Sequence, residues 1–343
     1  MNDNGFLVLD TNIWVYSTRL LSIPLGAAVI YSLSRSKRKI ALPEIIEEEI
    51  KKHTYDEGRK AVEEIQKNYR SIEQLLGSRD NFSVPSDEQF KTRVDSRLVE
   101  LSEIIYKVEF KLSHARLALK RVLEGTPPNG PKNQQFKDSA IWESILELAN
   151  EADVDFVTED KAFFQESNPS KGLAVDLLKD CGKVTGKIRI FYELKKYLET
   201  IKQDLPHFDK TKVIHNIIES ISYDLSKMAV DKGYNIGSVI NKDVLLAFLT
   251  EKPKIIAIEF EINYNAFGVL IPETGESTET TLVVKGDCGC DITTYNISDV
   301  RFNNIIMHTK DGENIPSYGM QYFYPSCCNI RTIPYQFKHQ HDI

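Results

Sequence analysis

The 343-residue sequence has no surplus of positive charge: 43 Lys and Arg face 50 Asp and Glu, a formal net charge of −7. A global field of that sign repels nucleic acid, so any surface that grips a polyanion has to be local. The apolar stretch at residues 20–33 is shorter than the roughly 20 residues of a membrane span and reads as a buried helix. Met1 to Gly5 are acidic and polar ahead of a strand, which does not read as a signal peptide, so a cytoplasmic protein with no membrane segment is expected. Cysteine is scarce, with five in all. Four of them, Cys288, Cys290, Cys327 and Cys328, suffice in number for a zinc ion, with His339 and His341 as further candidates. Their C-x-C and C-C spacings depart from the C-x₂₋₄-C of zinc ribbons, so reduced thiols and a disordered His-bearing tail are the preferred reading.

What the sequence does have is a series of acids at the ends of apolar segments. Gly5-Phe6-Leu7-Val8-Leu9 is a continuous apolar run of the kind that forms a buried parallel strand, and it ends at Asp10-Thr11-Asn12. Ligand sites of open α/β sheets lie at that carboxyl end; a helix N-cap is the plainer role for Asp10. Lys39 to Leu42 reads as a second strand, after which Pro43 opens a helix. There Ile45, Ile46, Glu49 and Ile50 share the inward face, which prefers Glu49 over its neighbours with Glu44 second, while Glu44 and Glu48 form a different row that favours the positive helix N-terminus or faces solvent. Asp138 sits at the first turn of an amphipathic helix marked by Ile141, Ile145, Leu148 and Ala149, where capping is again the alternative. Asp160 follows the β-branched strand Val154 to Thr158. Gathered at one sheet edge, Asp10, Glu49, Asp138 and Asp160 need a counter-ion. Hard divalent cations, Mg²⁺ or Mn²⁺, take carboxylate, water and substrate phosphate as ligands, which points to phosphodiester chemistry.

Between the second and third acids, residues 55–76 and 87–123 read as two long helices around a Gly/Ser/Pro turn, a helical hairpin insertion at about 51–130. On the second helix Lys107, Lys111, His114 and Arg121 fall near one face, with Arg116 and Lys120 beside them. That strip is either a phosphate-tracking surface or a solvated helix face. Residues 187–191 and 192–203 read as a last strand and closing helix, 209–232 and 241–250 as helices, and 255–262, 281–284 and 291–295 as strands. The mass of 39.2 kDa accommodates a first domain at 1–200 and a smaller one at 201–343.

The series Phe-Leu-Val-Leu-Asp10-Thr-Asn, Leu-Pro-Glu-Ile-Ile-Glu-Glu-Glu49-Ile, Phe-Lys-Asp138-Ser-Ala and Phe-Val-Thr158-Glu-Asp160-Lys-Ala-Phe resembles the PIN domain superfamily of nucleases, in particular long bacterial members with a helical insertion. The resemblance covers about residues 1–200. It implies the α/β class: an α/β/α sandwich on a central parallel sheet, with a helical hairpin insertion and a smaller C-terminal α+β domain. It also implies Mg²⁺- or Mn²⁺-dependent hydrolysis of RNA, leaving a 5′-phosphate and a 3′-hydroxyl, with Asp10, Glu49, Asp138 and Asp160 as the metal-binding quartet. Thr158 and Asn12 match supporting polar positions, and either Glu159 or Asp160 faces the metal. The expected function is a regulated endoribonuclease, as in bacterial antiviral defence, whose C-terminal domain receives a partner protein; a homo-oligomer is compatible with this. A structure-specific DNA nuclease is the alternative, disfavoured by the lack of a helix-hairpin-helix, and a non-catalytic binding module is a third.

Overall fold

The computed structural model describes residues 5–78, 83–130, 133–201, 204–270, 277–315 and 320–323. Two compact units divide the chain: Met1–Leu20 with Leu33–Thr200, and Leu21–Ser32 with Ile201–Ile343.

The first unit is built on five parallel strands, β1 (Gly5–Leu9), β2 (Lys39–Pro43), β3 (Ile105–Val108), β4 (Asp153–Val157) and β5 (Ile188–Phe191), in the order β3-β2-β1-β4-β5. β1 lies at the centre, paired in parallel with β2 on one side and β4 on the other. Its apolar run is buried because helices cover both faces of such a sheet. After β1 the chain makes a π-helical turn over Ile13–Ser17; α1 (Pro24–Ser34), which follows, is grouped through Ser32 with the second unit. Pro43, extended at φ −58° and ψ 139°, then stops β2 and starts α2 (Glu44–Leu76), with Glu44 and Glu47 in the first turn against the positive end of the helix. α3 (Asp87–Glu100) opens on a capping box in which the Ser86 and Gln89 side chains each accept the other's backbone N–H. α4 (Leu112–Glu124) stops at left-handed Gly125, φ 63°. α5 (Phe136–Ala149), α6 (Val175–Cys181) and α7 (Leu194–Glu199) complete an α/β/α sandwich around a core that includes Trp14, Trp142, Phe156 and Phe163.

In the second unit, α8 (Lys210–Asp231) turns Val213, Ile217, Ile221, Leu225 and Met228 into the core. The rest is an antiparallel sheet, β6 (Asn235–Leu249), β7 (Ile255–Leu270), β8 (Ser277–Asp291), β9 (Ile297–Thr309) and β10 (Met320–Phe323), paired in the order β10-β9-β8-β7-β6. Every second residue of β7 from Ile256 to Ala266 enters the core, the period-2 pattern of a sheet with one face packed. The opposite face of β8 and β9 holds a buried ion pair, Arg301 to Asp287, with Nε to Oδ2 at 3.0 Å. Gly289 belongs to this unit as well: a Cβ there would meet Pro24 of α1 at 3.3 Å. Cys288 and Cys290 are buried core thiols of β8, and burial pushes Cys290 up to about 11. Cys327, Cys328, His339 and His341 lie outside the described residues. Among the described residues no helix is long and apolar enough to cross a membrane.

Four sequence expectations are corrected. The helix expected over 87–123 is α3, β3 and α4, because Ile105 to Val108 pair with Ile40 to Pro43 and extend the central sheet. The helices expected from Pro43 and from Tyr55 are a single one, α2. Residues 241–249 belong to β6, where pairing with β7 from Asn263 to Ile256 overrides a helical apolar spacing. Residues 292–295 form a turn rather than a strand: the Asp291 carboxylate accepts the N–H groups of Thr293 and Thr294, and Tyr295 takes φ 62°.

Candidate active site

The sheet presents Asp10 and Thr158 side by side. Asp10 follows the last residue of β1, and its N–H still reaches the Val157 carbonyl of β4 at 2.9 Å, so the two strand ends remain in register. Asp10 is buried, and its two carboxylate oxygens accept the Thr11 N–H at 2.7 Å and the Thr158 hydroxyl at 2.6 Å. The same Thr158 oxygen accepts the Asp160 N–H at 3.0 Å. Asp160 caps the short turn that follows by accepting the Ala162 N–H at 2.8 Å, and its other oxygen accepts from the Gln135 amide at 3.1 Å. Glu49, one turn into α2, accepts the Thr11 hydroxyl at 2.8 Å and pairs with Lys137. Asp138 stands half-buried in the first turn of α5, where Gln135 is the capping residue.

Asp10, Thr11, Glu49, Asp138 and Asp160 line one open cavity of about 520 Å³, together with Asn12, His53, Glu159 and Lys161. Its electrostatics follow from the crowding. Burial, opposed by the hydrogen bonds from Thr158 and Thr11 and assisted by the charges of Asp160 and Glu49, pushes Asp10 up to about 6. Burial and then the charges of Asp10, Asp160 and Glu49 push Asp138 up to about 7. Four carboxyl groups thus share a space in which all four cannot hold full negative charge cheaply. Their oxygens are the hard donor set that divalent cations such as Mg²⁺ and Mn²⁺ select. Each of Asp10, Glu49 and Asp160 rests on protein hydrogen-bond donors, and among the described residues no group of three or more His, Cys, Asp or Glu side chains is arranged so as to hold a metal ion.

Of the other acids of α2, Glu44 accepts the Phe110 N–H at 2.8 Å, Glu47 pairs with Lys107 and Lys51, and Glu48 pairs with Lys51; none of them lines the cavity. Glu159 lines it but also accepts the Ser17 hydroxyl at 3.1 Å. The basic residues are not one helical face, since β3 intervenes. Lys107 lies on β3 against Glu47, and Lys111 pairs with Glu147 at 2.6 Å, which also receives the buried His114. Arg121 bridges Glu143 and Asp180, both at 2.5 Å. Arg116 and Lys120 are exposed on α4, with Lys120 at 3.8 Å from Glu124.

A protein-family model described as PIN domain matches residues 7–163. Residues 7–163 are a PIN domain. The match spans Asp10, Glu49, Asp138 and Asp160, the α2–α4 insertion and the parallel sheet from Leu7 of β1 through β4, but not β5. No curated protein and no solved structure matches the chain. PIN membership supports a nuclease-type hydrolase in general terms. Sequence reasoning missed the PIN domain's hydrogen-bond framework. Thr11 and Lys137 adjoin named acids and His53 stands four residues after Glu49 on the same helix, so their spacing was a usable signal, whereas nothing local marks the bond of Gln135 to Asp160.

Proposed function

We propose that this protein is a metal-dependent endoribonuclease, with Asp10, Glu49, Asp138 and Asp160 as the acids that hold Mg²⁺ or Mn²⁺. The observation that carries the reading is the shared cavity in which Asp10 and Asp138 are held well above the usual carboxylate range by burial and by their acidic neighbours. A bound divalent cation supplies a water of lowered pKa and neutralises charge on the phosphate oxygens. The chain's own residues do the positioning. Thr158 orients Asp10 and Asp160 through one hydroxyl, and Thr11 orients Asp10 and Glu49. Lys137 and Lys161 place positive charge beside the acids, where a substrate phosphate needs it. RNA as the polymer, a role in antiviral defence and a partner received by the second unit are part of the same proposal, and rest on the resemblance of the acidic series to long bacterial PIN-like members.

The test uses the full chain with end-labelled single-stranded RNA and DNA, in Mn²⁺ or EDTA, beside Asp10→Asn and Asp138→Asn. The expected result is Mn²⁺-dependent cleavage of RNA that falls at least about a hundredfold in each variant. Preferential cleavage of DNA favours a structure-specific DNA nuclease instead. Intact polymers, with no Mn²⁺ bound in a titration, leave a binding module.

A further inference from the structure

One wall of the carboxylate cavity belongs to α2, and there His53 is the residue that the hydrogen-bond framework of the acids leaves out. Glu49, His53 and Glu57 stand at i, i+4 and i+8, so they follow one another along the same side of the helix. Both outer members hold the segment after β1: Glu49 accepts the Thr11 hydroxyl at 2.8 Å, and Glu57 accepts that of Tyr16. His53 therefore occupies the turn between two anchored ones, and Asn12 enters the same cavity from the residue after Thr11. Neither side chain is engaged. Among the described residues His53 and Asn12 form no side-chain hydrogen bond or ion pair, and Asn12 does not cap the π-helical turn that it precedes.

We propose that His53 and Asn12 recognise the ribose 2′-hydroxyl of an RNA substrate; this rests on the nuclease function proposed above and names how that site selects its polymer. The chemistry of the wall decides the ligand. A phosphate drawn to His53 would lie between carboxylates one turn to either side, Glu49 and Glu57, whereas Lys161, exposed and with no acidic partner among the described residues, lines the same cavity and suits it better. A base finds no Phe, Tyr or Trp among the described lining residues to stack on. What remains is a small neutral group. A hydroxyl both donates and accepts, and so does each of these side chains: the Asn12 amide carries an NH₂ and a C=O, and a neutral imidazole carries one N–H and one bare nitrogen. DNA lacks that hydroxyl, so it leaves unmade the bonds that RNA forms. Because the cavity is open, the hydroxyl replaces water and the discrimination is moderate.

Fluorescence anisotropy with the full chain in EDTA tests this, using single-stranded RNA, DNA and 2′-fluoro RNA of one sequence. The 2′-fluoro strand keeps an RNA-like sugar and loses the O–H. The expected result is RNA bound about tenfold tighter than either analogue. His53→Ala and Asn12→Ala should each cut that preference about threefold or more while DNA binding holds. His53→Gln, which keeps a donor and an acceptor, should retain most of it, and circular dichroism should match wild type in all three variants. Lys161→Ala, by contrast, should weaken every strand alike. Equal binding of the three strands by the wild-type chain overturns the proposal, as does a His53→Ala variant that weakens RNA and DNA alike, the mark of a phosphate contact or of a structural role. The nuclease reading is judged separately, by Mn²⁺-dependent cleavage that Asp10→Asn removes. Cleavage without a His53-dependent preference overturns the ribose site alone; the preference without cleavage supports that site and overturns the hydrolytic reading alone. Neither binding nor cleavage overturns both.

Discussion

One hydroxyl, that of Thr158, donates to Asp10 at 2.6 Å and accepts from the Asp160 backbone at 3.0 Å, so two candidate ligands depend on a residue that carries no charge. Thr158→Val keeps the shape and removes both bonds. On the proposed reading it should lower cleavage about tenfold or more and weaken Mn²⁺ binding, measured by isothermal titration, while the fold survives. Asp10 and Asp138 make a second prediction at this scale. Their folded-state values, about 6 and about 7, lie above the ordinary aspartate range of the unfolded chain. Between about pH 4 and pH 7 the unfolded state has therefore released protons that the folded state retains, and stability falls as pH rises, by roughly 1.4 kcal/mol per proton and pH unit. Metal-free urea denaturation across that window should show the decline, and Asp138→Asn should flatten it. The acids themselves were readable as candidates because Asp10 and Asp160 follow apolar strands, Asp138 opens an amphipathic helix and Glu49 shares a helix face with Ile45, Ile46 and Ile50. Gln135 was not, since its bond to Asp160 joins the loop before α5 to the turn after β4 and leaves no mark on either local pattern.

At the scale of elements, the sequence pattern served where burial is two-sided and failed where a partner strand decides. β1 is a continuous apolar run and was readable as a buried parallel strand, and β4, with Asp153 and Asp155 between its apolar residues, was readable as a strand from its alternating and β-branched content. β3 was not: Ile105-Tyr106-Lys107-Val108 has buried residues only at its ends, an edge strand's pattern set between two strongly helical segments. In β6 the apolar cluster Val244 to Leu249 mimics a helix turn, and the register shift at Val244/Leu246 scrambles the alternation that would have betrayed a strand. The basic strip failed for the same reason as β3, because a helical face was inferred across a chain segment that is partly sheet. α2 offers a direct test of helix packing. Gly58 admits the Phe90 ring, so Gly58→Ala, despite its gain in helix propensity, should destabilise the fold by about 1–3 kcal/mol, read from urea melts, with Phe90→Leu in the Ala background recovering part of the loss.

For the molecule as a whole, the division into units is not a division of the chain at one point. Leu21–Ser32 groups with residues 201–343 although it sits between β1 and β2 in sequence. Leu25, Ala28, Val29 and Ile30 of that segment are buried in the full chain. A fragment ending at Thr200 should therefore expose apolar surface on α1. It is expected to bind a hydrophobic dye and aggregate at concentrations where the full chain stays dispersed, checked by dye fluorescence and light scattering. The same interleaving bears on how the protein is made. A ribosome delivers α1 within the first tenth of synthesis, but the strands with which it is grouped leave the exit tunnel only near the end. α1 is therefore made long before the strands with which it is grouped, and the unit to which it belongs is complete only when the last third of the message has been read.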